Sequence, residues 1–188
     1  MDFPTEMLEA LKRAYRVPAR AYHSWSHVEE VVRWIQQVPA WTQPREVMLA
    51  ALFHDAVYVP GAKDNEERSA QLALELLKKF VPDADAARVV GLVRLTARHG
   101  TLKPADVDAE AALFLDCDMA ILGAAPDVFD RYGDAIREEY CAVPSVLYAF
   151  GRKRFLKRLL DSPRIFLSDF FHARLDSAAR SNVRRALA

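Results

Sequence analysis

Apolar residues recur at helical spacing along most of the chain, and nowhere do they alternate over a strand length. Met7, Leu8, Leu11 and Tyr15 predict a first helix over 4–15. Val28, Val31, Val32, Ile35 and Val38 predict a second, starting near His27 behind a Ser26–Glu29 capping box. Pro44 opens a third that runs to about Val57. After the Pro60-Gly61 loop, an Asp64–Glu67 capping pair starts a fourth, to about Phe80. Asp83 caps a fifth, which ends at His99 before Gly100. A sixth covers about 106–122. Pro126 and Pro144 open the seventh and eighth, and a last helix spans about 168–187. The expected fold class is all-α, with about eight or nine helices in a single domain over 1–188. Its core is expected at about 20–125, with helices of 126–188 packed on it.

Three helices carry polar groups where the pattern demands apolar ones. In Ala50-Ala51-Leu52-Phe53-His54-Asp55-Ala56-Val57 an imidazole and a carboxylate sit side by side in an apolar run. Burying both is costly unless each finds a partner, and a divalent cation is a partner that suits both. His27 lies four residues before Val31 and shares its inward face. In Leu115-Asp116-Cys117-Asp118-Met119 two acids interrupt another apolar run. They point about 200° apart around a helix, so only one can aim at a given point. Asp118 shares its face with Phe114, Leu115, Ile121 and Leu122, and Asp116 shares its face with Leu113 and Met119. The bulkier stripe favours Asp118.

His27, His54, Asp55 and Asp118 are therefore the candidate metal ligands. Two imidazoles and two carboxylates suit Mn, Zn, Fe, Ni or Co, and suit Mg less well. His23 and His99 are weaker candidates, at a loop and a helix end. Glu67, just past the loop that follows His54-Asp55, is a candidate general acid or base.

Composition narrows the function classes. The chain is 52% apolar and 28% charged, with 26 basic and 26 acidic residues. Zero formal net charge argues against broad electrostatic attraction to nucleic acid. The two cysteines, Cys117 and Cys141, form neither a metal motif nor a disulfide framework, and a cytoplasmic location is expected. The first twenty residues carry Asp2, Glu6 and Glu9 and do not read as a signal peptide. No run is long enough to span a membrane, and no membrane partner is expected.

The order His, His-Asp, Asp on successive helices resembles the HD-domain superfamily of metal-dependent phosphohydrolases. Longer stretches resemble one bacterial branch of it: Tyr22-His23-Ser24-Trp25-Ser26-His27-Val28, Phe53-His54-Asp55-Ala56-Val57-Tyr58, Asp64-Asn65-Glu66-Glu67-Arg68-Ser69-Ala70, and Phe114 to Gly123. Ile136-Arg137-Glu138-Glu139-Tyr140 and Gly151-Arg152 add to the likeness. Ser24 departs from the Asn expected in the branch. The resemblance implies a helical fold around a metal site, with His27, His54, Asp55 and Asp118 as ligands of one divalent metal ion. Only His23, His99 and His172 remain as further histidines, too few for a second ion. The implied activity is hydrolysis of a small phosphomonoester or nucleotide by metal-activated water. Asp55, Glu67 and His99 are the expected catalytic groups, and His23, Arg137 and Arg152 the expected substrate-binding ones. Two other functions fit the same fold: an iron-dependent oxygenase, which would need more ligands, and a non-catalytic regulator that binds a nucleotide or metal.

Overall fold

A computed structural model describes residues 2–188. Among the described residues all regular structure is helical: α1 (Thr5–Ala14), α2 (Trp25–Gln37), α3 (Pro44–Phe53), α4 (Asn65–Phe80), α5 (Ala86–Thr96), α6 (Ala109–Met119), α7 (Pro126–Glu139), α8 (Ser145–Asp161) and α9 (Asp169–Leu187). Short 3-10 turns cover Pro104–Asp106 and Ala120–Gly123. None of these helices is long and apolar enough to cross a membrane. The chain divides into two compact units, Met1–Ala97 and Arg98–Ala188. The division falls after α5.

In the first unit α3 is the central element, packed by α2, α4 and α5. Val47 and the whole run from Leu49 to Phe53 are buried, so α3 exposes little to solvent beyond its first turn. α2 and α4 bury single stripes against it. Val28, Val31 and Ile35 come from α2, and Ala70, Ala73 and Leu77 from α4. α5 contributes Val89, Leu92 and Val93. Close packing of these aliphatic side chains supplies the main stabilising term.

In the second unit α9 lies against the Ala120–Gly123 turn and α8. The approach is close: a Cβ at Gly123 would sit 2.7 Å from Leu175 Cβ, so only glycine fits there. Asn182 donates from Nδ2 to the carbonyls of Leu122 at 3.0 Å and Ala124 at 2.8 Å, which gives both exposed ends of that turn a partner.

Several element ends differ from the sequence expectation. α2 starts at Trp25 with Ser24 in the N-cap position and no side-chain cap; Ser26 instead shares a 2.8 Å hydrogen bond with Ser24. α4 likewise has no side-chain cap, so the Asp64–Glu67 box does not form. Asp85, not Asp83, caps α5 by accepting from Arg88 N, while Asp83 pairs with Arg45 on the surface. The expected sixth helix is shorter, flanked by the two 3-10 turns. Most consequential, α3 stops at Phe53, so His54 and Asp55 lie in the turn beyond it.

Candidate metal centre

The turn after α3 is held by side chains from three other segments, which explains why the helix does not continue. Tyr15 Oη donates to the Leu52 carbonyl at 3.2 Å and accepts from Asp55 N at 3.3 Å. Arg20 donates to the carbonyls of Asp55 and Ala56. From α4, buried Ser69 takes Val57 N at 3.0 Å and gives to Val57 O at 3.2 Å. Buried Asn65 does the same for Val59, at 2.9 and 3.0 Å. A buried backbone outside a helix must find its partners this way.

That scaffold brings together His27, His54 and Asp55. His27 sits in the first turn of α2 at 4% exposure, and His54 caps α3 at 1%. His54 Nε2 lies 3.2 Å from His27 Nε2 and 3.0 Å from Asp55 Oδ2. The third edge, His27 Nε2 to Asp55 Oδ2, is 3.7 Å. On its other side His54 Nδ1 lies 2.9 Å from the Ala51 carbonyl. A carbonyl only accepts, so Nδ1 carries a hydrogen, and whenever the ring is neutral the lone pair of Nε2 faces inward.

Lone pairs of His54 Nε2 and Asp55 Oδ2 facing each other at 3.0 Å repel unless a cation joins them. A proton on an imidazole or a metal ion serves. The spacing fits a metal. Bonds of about 2.1 Å meeting at about 90–110° hold their donors about 3.0–3.4 Å apart; the 3.0 and 3.2 Å edges fall in that span and the 3.7 Å edge is wider. The donor chemistry fits a first-row divalent ion, and the Ala51 contact is the outer hydrogen bond that such imidazole ligands use.

Aromatic rings wall this cluster. Tyr22 lies 4.7 Å from the His27 ring, and His23 stacks on Tyr58 at 4.0 Å. His23 is half-buried and 6.0 Å from the His27 ring centre. Of the three clustered residues only Asp55 keeps appreciable exposure, 13% of its side chain, so approach from solvent runs over that carboxylate.

Asp118 belongs to the second unit, where His99 Nε2 meets its Oδ2 at 2.7 Å. Its neighbour Asp116 is the more buried acid, at 2%, against the stripe argument. α6 is packed nearly all round, with Glu110 to Cys117 mostly buried, so bulk on one face carries no directional signal. Asp116 is occupied structurally: Oδ1 accepts from Leu167 N at 2.8 Å, and Oδ2 from Ser168 N at 2.7 Å and Ser168 Oγ at 2.6 Å. Burial pushes its carboxyl up to about 6, against the pull of those donors.

Glu67 lies on the surface in a two-point pair with Arg94, both contacts 2.7 Å. Arg94 holds its carboxyl below the ordinary value. Arg137 donates to the Tyr140 carbonyl and covers the Tyr148 ring. Arg152 donates to Tyr132 Oη at 3.0 Å.

Sequence reasoning missed Tyr15, Arg20, Asn65 and Ser69. For the last two a signal existed: with Ala73 and Leu77 they form an i, i+4 stripe on α4, so two polar residues continue a buried face. No family model, curated protein or solved structure matches this chain.

Proposed function

We propose that this chain is a metal-dependent phosphohydrolase of the HD type, acting on a small phosphomonoester or nucleotide. The observation that carries the proposal is the triangle of His27 Nε2, His54 Nε2 and Asp55 Oδ2, with edges of 3.0, 3.2 and 3.7 Å. The order of the ligand residues along the chain supports it from the sequence side. When bound, a divalent ion there supplies positive charge to a phosphoryl oxygen and lowers the pKa of a water beside it.

The chain's own groups have distinct parts in this reading. The Ala51 carbonyl keeps a hydrogen on His54 Nδ1, so the neutral ring offers Nε2 as its ligand atom. His27 is held by its place in the first turn of α2. Asp55 supplies the negative charge and lines the open side, so it also orients water arriving from solvent. His23, with its ring centre 6.0 Å from that of His27, is the proposed substrate contact. Within the second unit His99 Nε2 and Asp118 Oδ2 pair at 2.7 Å.

The test is metal analysis of the purified protein, followed by phosphate-release assays across nucleotides and sugar phosphates with Mn, Co, Ni, Zn and Mg supplied in turn. The expected result is turnover that needs a first-row ion and is abolished in Asp55→Ala. Turnover that persists in excess chelator would overturn the proposal.

A further inference from the structure

Arg20 lies in the loop between α1 and α2 and reaches into the first unit with both terminal nitrogens. Nη1 donates to the carbonyls of His23, at 3.0 Å, and Asp55. Nη2 donates to the carbonyls of Ala14, at 3.1 Å, and Ala56, at 3.0 Å. The guanidinium also lies 5.1 Å from the Tyr15 ring centre and 5.8 Å from that of Tyr58. Each terminal nitrogen carries two hydrogens, so all four find a carbonyl.

These carbonyls belong to three separate stretches: the end of α1, the loop that leads through His23 into His27, and the turn that bears His54 and Asp55. The clustered donors thus come from two of the segments that Arg20 ties together. The triangle depends on how those two segments sit relative to each other. Packing of α2 on α3 sets part of that relation, since His27 lies in the first turn of α2, but Asp55 follows the end of α3 and needs a further hold.

We propose that Arg20 is the positioning residue of the metal centre: it sets the spacing between His27 and the His54-Asp55 turn, and so the affinity and geometry of the ion. The inference rests on the metal reading proposed above. Arginine is needed for its shape more than its charge. A lysine places its three donors at a single point and cannot reach carbonyls on both sides of a planar fork. The positive charge beside a cation site is tolerated because the dipoles of the carbonyls face it, and the Tyr15 and Tyr58 rings add to this.

The test uses the full chain, with Co²⁺ as the probe. Wild type, Arg20→Lys and Arg20→Ala are compared by Co²⁺ titration, by the visible absorption of the bound ion, and by melting temperature in chelator and in excess Co²⁺. Loss of an outer hydrogen-bonding partner costs metal affinity about 10–100-fold. The expected result is a drop of that size in Arg20→Lys, a changed Co²⁺ spectrum, and a smaller gain in melting temperature on adding metal. A merely structural arginine would lower both melting temperatures equally and leave affinity and spectrum alone, which would overturn the inference. Should Arg20→Ala not fold, Arg20→Lys carries the test. If the lysine variant too is unfolded in chelator, Arg20 is a folding residue and the assignment fails. Absence of Co²⁺ binding by the wild type would instead remove the metal reading itself.

Discussion

The His54 ring is pinned by the carbonyl of Ala51, three residues back, at 2.9 Å. This one contact decides which nitrogen of a 1%-exposed imidazole carries hydrogen, and therefore which face of the ring can bind a cation. Replacing His54 by Gln keeps a polar group of similar reach but removes the ring. Metal affinity is expected to fall at least about 100-fold in His54→Gln, measured by titration with Mn²⁺ or Co²⁺. An unchanged affinity would mean that the ring binds nothing.

Asp116 should behave as a structural residue. Asp116→Ala leaves the N–H groups of Leu167 and Ser168 without their acceptor at the start of α9. The expected cost is on the order of 2–4 kcal/mol of stability, read by urea denaturation, with metal affinity of the folded variant unchanged.

The same carboxyl gives a pH dependence of definite sign. Its pKa in the folded chain is raised from 3.8 to about 6 by burial. The folded state then holds the proton more tightly than the unfolded state. The contribution of Asp116 is fully present below the unfolded value and lost as pH rises through the folded one. Measured against Asp116→Asn, which does not titrate, wild-type stability should decline between about pH 4 and pH 6 and level off above. A difference that grew over that range would contradict the burial argument.

Much of this architecture was legible in the residues, for reasons that also show where reading stops. Proline at the first turn of α3 and α7 sets those starts through local chemistry alone. The inward aim of His27 and His54 followed from spacing to Val31, Val47 and Ala50. The end of α3 did not, because the apolar run continues through Ala56 and Val57. What stops the helix is tertiary: Tyr15, Arg20 and Ser69 take the backbone groups beyond it. A capping box at Ser26 or Asp64 has the right spacing, but the N-cap position falls elsewhere or is left without a side-chain bond. The choice between Asp116 and Asp118 rested on a contrast between faces that a helix buried all round does not have.

Glu67 offers a control. It is an exposed carboxylate satisfied by Arg94, and such surface pairs contribute little. Glu67→Gln is expected to leave metal affinity, stability and turnover at wild-type values in the same assays. A large loss of turnover would restore it as a catalytic group.

The central claim is that a metal ion, not a proton, joins His27, His54 and Asp55. Equilibrium dialysis of the wild-type chain and Asp55→Ala against Mn²⁺ or Co²⁺ near neutral pH measures this directly. The account predicts one tightly bound ion per wild-type chain and none in Asp55→Ala. Wild-type protein that takes up no ion, or a variant that binds as well as wild type, would contradict it and leave the cluster as a buried, proton-linked pair of histidines and an aspartate.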